Sequence, residues 1–151
     1  MTSPIPEGFA GITPYLAVNN AADAIAFYQK AFDAVEDFRI DAGGMIGHAE
    51  MTIYGAKLML AEASPAYGSH SPKDLGGASV FLHIYVEDVD SVVQRAADAG
   101  CTLERPVQDQ FYGDRSGMVI CPFGHRWSFA THKEDLSVEE LQRRAKEMFG
   151  G

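Results

Sequence analysis

Cysteine and basic residues are both scarce in this chain of 151 residues, and each shortage excludes something. The two cysteines, Cys101 and Cys121, have no metal-type spacing, and a chain of this size needs no disulfide to hold a core, so both read as small buried apolar side chains. Lysine and arginine number 12 against 21 aspartates and glutamates, a formal net charge of −9. That balance repels nucleic acid and anionic membranes, and it serves either solubility or the attraction of a cationic ligand. No apolar run approaches the roughly 20 residues of a membrane span, and Met1 to Gly11 has neither the basic segment nor the apolar stretch of a secretory signal. A cytoplasmic protein with no nucleic-acid or membrane partner is expected. Nucleophile motifs are missing as well: there is no Gly-x-Ser-x-Gly, no phosphate-cradling glycine loop, and no His or Lys beside either cysteine. Covalent catalysis is not expected.

What is present is 46% hydrophobic residues in a repeating order. Gly11 to Val18 is short and apolar enough for a strand, and Ala24 to Ala34 carries Ile25, Phe27, Tyr28, Ala31 and Phe32 at helical spacing, with Asn20 or a neighbour as the cap. The same order returns when Ser79 to Val86, β-branched and aromatic, leads into Ser91 to Gly100 with Val92, Val93, Ala96 and Ala97 along one face. Each helix is followed by three strand-like runs: Ala34 to Asp41, Ile46 to Tyr54 and Lys57 to Ala63, then Thr102 to Tyr112, Ser116 to Cys121 and His125 to His132. In both halves the last turn carries a glycine, Gly55 and Gly124. The economical parse is α+β: one domain of paired βαβββ modules forming a cupped mixed sheet, module one over about 10–64, a Gly/Ser/Pro linker over 65–77 and module two over about 78–133. An amphipathic helix over about 136–149 closes the chain, with Val138, Leu141, Ala145, Met148 and Phe149 roughly on one stripe.

Paired βαβββ modules with Phe27-Tyr28 in the first helix and Pro122-Phe123-Gly124 before the last strand resemble the vicinal oxygen chelate superfamily, the glyoxalase, bleomycin-resistance and dioxygenase group. More narrowly, the segments Phe111 to Gly117, Pro122 to Ser128 and Ala130 to Asp135 resemble its PhnB-like branch. The resemblance implies the fold, a homodimer supported by the apolar tail residues Leu141, Met148 and Phe149, and a choice among isomerases, lyases, dioxygenases, thiol transferases and pure drug-binding proteins. Members that do chemistry hold a divalent metal with His, Gln or Glu. The positions the resemblance assigns to those ligands are Thr13, Met59, Phe81 and Ser128 here, none of them a usual divalent-metal ligand. No cofactor is expected on that count, with a divalent metal as the alternative.

His83 lies two residues beyond the family position, so it keeps the cavity face with Phe81 and Tyr85 while Leu82, Ile84 and Val86 face the helices. In the third strand Met51 and Ile53 take the helix layer, and His48, Glu50, Thr52 and Tyr54 take the other face. His48, Glu50 and His83 then read as a displaced metal triad, as an acid/base set in which Glu50 orients a histidine, or as two solvated groups and a hydrogen-bonded pocket residue. In the last strand Trp127 and Phe129 pack under the helices, with Arg126 and Ser128 pointing inward. Arg115 closes one end of the cavity as a cation for a carboxylate or phosphonate, or pairs with Asp114 to pin the turn. His125 and His132 read as surface or capping residues. The expectation is a metal-free protein that sequesters a small, cationic aromatic molecule between Tyr15, Phe81, His83, Tyr85, Phe111 and Tyr112. The alternative is an isomerase or lyase using His48, Glu50 and His83.

Overall fold

The computed structural model describes residues 1–150. Its elements are, in order, β1 (Tyr15–Val18), α1 (Ala21–Phe32), β2 (Val35–Ala42), β3 (Met45–Ile53), β4 (Ala56–Glu62), a 3-10 turn (Pro65–Tyr67), α2 (Pro72–Leu75), β5 (Phe81–Tyr85), α3 (Val89–Ala99), β6 (Thr102–Asp109), β7 (Asp114–Ile120), β8 (Arg126–His132) and α4 (Val138–Phe149). The βαβββ order occurs twice and builds two four-stranded mixed sheets, β1-β4-β3-β2 and β5-β8-β7-β6. In each, the first strand runs parallel to the last, and the remaining pairings are antiparallel. The class is α+β.

Two compact units divide the chain: Met1–Ser79 with the turn Pro122–His125, and Val80–Cys121 with the chain from Arg126 onward. In the first, Asn20 caps α1 by accepting from the Asp23 N–H, and the Glu62 carboxylate at the end of β4 accepts from the N–H groups of Asn20 and Ala21 at 3.0 and 2.6 Å. An acidic group at a helix N-terminus satisfies orphan donors and complements the dipole, so strand and helix are tied at one corner. Ile25, Tyr28 and Phe32 of α1 are buried, as are Leu16, Val18, Met51, Ile53, Leu58 and Leu60 of its sheet. Each large side chain so buried contributes roughly 1.5–3 kcal/mol. The segment expected as a bare linker is ordered: Ser71 is fully buried, its hydroxyl accepts from the Asp74 N–H, and the Asp74 carboxylate accepts from the Ser71 N–H. That reciprocal cap starts α2 at Pro72.

In the second unit, α3 begins at Val89, two residues earlier than the apolar spacing suggests, because Asp88 caps it and the Thr131 hydroxyl accepts from the Val89 N–H. Val89, Val93 and Ala96 are buried with Val119, Trp127 and Phe129. β6 stops at Asp109 rather than Tyr112, since the Gln110 N–H donates to the Asp114 carbonyl and closes a turn in which Gly113 has φ 99. α4 starts at Ser137, which caps the Glu140 N–H, and none of its residues is fully buried. No helix among the described residues is long and apolar enough to cross a membrane.

Candidate functional site

Alternation along β5 leaves Phe81, His83 and Tyr85 exposed and Leu82 and Ile84 half-buried, the two-face division expected of a strand with one side on a core. The exposed side borders a cavity of about 310 Å³ that lies wholly within the second unit. Its walls are Phe81, Phe111, Tyr112, Met118, Met148 and Phe149. Polar groups come from His83, Ser116 and Ser128 on the sheet and from Arg105 and Gln110 at its edge. Phe111 meets Tyr112 and Phe149 edge to face, at ring separations of 5.3 and 5.7 Å. The end of α4 therefore works as a wall of its own chain's cavity.

Five residues expected at the ligand from the sequence meet here: Phe81, His83, Phe111, Tyr112 and Ser128. His83 stands directly across from Ser128 in the β5–β8 pairing, and its Nδ1 lies 2.8 Å from the Ser128 hydroxyl. Tyr85 lies outside the lining; its hydroxyl donates to Asp114 at 2.8 Å, and that bond, with some desolvation, raises the phenol pKa. Tyr15 belongs to the first unit.

Both arginines expected on the cavity side, Arg115 and Arg126, are engaged by carboxylates. Arg115 has the opposite parity in β7 from Ser116 and Met118, which puts it on the α3 side of the sheet. There it donates to both oxygens of Asp90 in the first turn of α3, at 2.8 and 2.9 Å, and to Asp109 at 3.2 Å. It pairs with neither a cavity ligand nor Asp114. Asp114 instead takes Tyr85 and His132. Arg126 does share the face of Phe81, with its guanidinium 5.3 Å from that ring centre, but it forms a bidentate pair with Glu104 at 3.0 and 2.7 Å.

Periodicity missed Arg105. In β6, Leu103 pairs with Val119 and Arg105 with Met118, so Glu104 is an extra residue in a bulge. A bulge sets two residues opposite one and re-aims their side chains. A second irregularity follows before Gln108. Gly117 permits it: a Cβ there would lie 2.8 Å from Val107 Cγ2 and 3.3 Å from the Arg105 carbonyl.

The first unit carries a different constellation. The Tyr15 hydroxyl is 2.7 Å from His48 Nδ1, and His48 Nε2 is 2.8 Å from Glu50. An ionised carboxylate can only accept, so Nε2 carries the proton and Nδ1 accepts from the phenol. Desolvation, then the Glu50 charge, raises the Tyr15 pKa and keeps the phenol protonated. His125 is half-buried rather than a surface residue: its Nε2 lies 2.9 Å from the Ala17 carbonyl, and burial pushes its pKa down. His132 sits between Asp114 and Asp135, both at 2.8 Å, which raises its pKa.

The family's metal positions do not fit a divalent ion. Thr13 precedes β1, Met59 faces Tyr15 across the β1–β4 pairing, Phe81 is a cavity wall, and the Ser128 hydroxyl is taken by His83. A thioether, a ring and two hydroxyls are poor donors for a hard cation. Among the described residues no group of three or more His, Cys, Asp or Glu could hold a metal ion; the displaced set divides, with His48 and Glu50 in the first unit and His83 in the second.

An uncharacterised protein of Mycobacterium bovis is 42% identical over 135 residues, which cover 87% of this chain and 89% of that protein. An uncharacterised protein of Arabidopsis thaliana is 26% identical over 128 residues, covering 80% of this chain and 76% of that one. Among solved structures, TioX from Micromonospora sp. ML1 matches with a TM-score of 0.65 at 23% identity, over 85% of this chain and all of that one. The fosfomycin resistance protein FosX of Listeria monocytogenes, complexed with Mn(II) and sulfate, matches with a TM-score of 0.61 at 19% identity, over 90% and 98% of the two chains. Likeness at such identities shows the fold. The family profile matches residues 9–129, most of the length, and this chain belongs to the Glyoxalase/Bleomycin resistance protein/Dioxygenase superfamily.

Proposed function

We propose that this protein binds a small organic molecule in the second-unit cavity without a resident metal, and that its role is to hold or sequester that molecule. The observation that carries the reading is the cavity itself. About 310 Å³ lies at the small end of ligand sites, and aromatic and thioether walls with a few convergent polar groups are the usual make-up of one. Aromatic walls supply burial and stacking, and the Ser128–His83 pair orients an imidazole toward whatever enters. Isothermal titration with naphthalene-2-carboxamide tests it. Saturable binding that Phe111→Ala weakens by about tenfold supports the reading, in line with the loss of a ring contact. Binding indifferent to Phe111 rejects it, and so does failure of this amide together with its carboxylate and ammonium analogues to bind.

Placement in the PhnB-like branch, a cytoplasmic location and a homodimer belong to the same proposal. A single 16.4 kDa species in light scattering would remove the dimer. The hydrogen-bonded chain Tyr15–His48–Glu50 favours a second reading, an acid/base isomerase or lyase in which Glu50 fixes the His48 tautomer and His48 moves a proton at the Tyr15 oxygen. In that case His48→Ala abolishes turnover and leaves cavity binding intact.

A further inference from the structure

We infer that the guest of the second-unit cavity is an organic anion, an aromatic or alkyl group bearing one carboxylate or similar oxyanion, and that Arg105 is the residue that selects it. The inference rests on reading the cavity as a binding site.

Its basis is local charge set against global charge. The chain carries −9, which at long range favours a cationic guest. Yet the cavity lining contains no Asp or Glu, and its one formal cation is Arg105. Every other arginine among the described residues has a partner: Arg39 has Glu36, Arg115 has Asp90 and Asp109, Arg126 has Glu104, Arg143 and Arg144 share Glu140, and Arg95 has a partner too. No carboxylate of the described residues lies within ion-pair distance of the Arg105 guanidinium. In a protein with such an excess of acid, one unpaired guanidinium at an aromatic cavity stands out from its neighbours.

The bulge explains how this comes about. Glu104 and Arg105 both stand opposite Met118, a cavity wall, so a regular strand's alternation is lost and an acid and a base are set side by side. Arg126 takes both Glu104 oxygens with its fork, and these hydrogen bonds, then the Arg126 charge and last the Arg105 charge, hold the Glu104 pKa down, so Arg105 acts on this carboxylate only beyond ion-pair distance. Arg105 is left with its donors unspent. A guanidinium presents paired N–H groups that match a carboxylate, and Phe81, Phe111 and Phe149 bury the apolar remainder. His83 Nε2 has no protein partner among the described residues and adds one further polar contact.

Isothermal titration of the full chain at low ionic strength decides the matter, with three probes of equal ring size: naphthalene-2-carboxylate, naphthalene-2-carboxamide and 2-naphthylmethylammonium. The expected result is that the carboxylate binds about tenfold tighter than the carboxamide, that Arg105→Gln brings the ratio of the two affinities close to one, and that added salt weakens the carboxylate more than the carboxamide. Arg105 is exposed, and circular dichroism of Arg105→Gln should match the parent. Equal affinity for carboxylate and carboxamide, tighter binding of the ammonium, or an Arg105→Gln variant that still prefers the carboxylate overturns the inference and leaves the cavity reading standing. Failure of all three probes to bind overturns both.

Discussion

The two βαβββ modules share one strand order and the same register among their three inner strands, yet they place different chemistry at equivalent positions. Tyr15 faces Met59 where His83 faces Ser128, and Glu50 faces Met59 where Met118 faces Ser128. Two residues back along the same strands, His48 corresponds to Ser116. In the first module the polar face satisfies itself, since phenol, imidazole and carboxylate bond in a chain. In the second, Ser116 and Met118 replace the histidine and the glutamate; beside them a cavity opens, with an unpaired arginine in its lining. A common backbone thus yields one closed polar cluster and one open site, and substitutions at two or three strand positions accompany the difference.

The common frame can be broken at its core, with the largest expected effect. Phe129 and Leu60 hold equivalent places on the last strand of each module, and both are fully buried. Phe129→Ala should cost about 3–5 kcal/mol and Leu60→Ala about 2–5 kcal/mol in urea unfolding. A cost under about 1 kcal/mol at either would mean that the modules do not share a core design. The turn glycines come next. Gly55 and Gly124 have φ 81 and 88, so alanine at either meets left-handed strain of about 1–2 kcal/mol. A Cβ at Gly124 would also lie 2.8 Å from Pro72 Cβ, while Gly55 faces open space. Gly124→Ala should therefore lower the melting temperature more than Gly55→Ala.

The site chemistry offers a smaller but sharper contrast. Tyr15→Phe and Ser128→Ala each delete one hydrogen bond to a histidine, worth about 0.5–1.5 kcal/mol of stability. Only Ser128→Ala should also weaken naphthoate binding. If Tyr15→Phe does so instead, the binding role belongs to the first module.

The least effect is expected from pH, and its sign differs between two histidines. Burial lowers the His125 pKa, so the unfolded chain takes up a proton more readily, and stability falls as pH drops through the ordinary histidine value of about 6.5. Asp114 and Asp135 raise the His132 pKa, so its contribution is complete below that value and fades as pH climbs through the raised one. His125→Gln should flatten the acid side of the stability profile. His132→Gln should cost more near about pH 5.5 than near about pH 8.5. Profiles of the same slope in both variants would remove the contrast.

Much of the frame was legible because it is local. Asn20 before an apolar-periodic stretch and Ser137 before the last helix are caps readable from spacing, and period-two alternation correctly set Met51 and Ile53 in the core with His48 and Glu50 on the other face. The helix start at Val89 was misplaced because spacing of apolar residues outweighed the Asp88 cap. Of the residues expected at the ligand, Phe81, His83 and Ser128 gather around the cavity because strand parity holds wherever the ladder is regular, and Phe111 and Tyr112 reach it from the turn before β7. Parity also could have warned that Arg115 shares a face with Val119, not with Ser116.

The sequence by itself determined the doubled βαβββ order and the faces of its regular strands. Those properties depend on residue type and spacing alone. Only the tertiary structure decided which charges are spent. Asp90 takes Arg115 from 25 positions away and Glu104 takes Arg126 from 22, and the bulge at Glu104 that leaves Arg105 uncommitted is a failure of register between two strands. Such pairings follow from how the ladder closes in space, and no interval along the chain announces them.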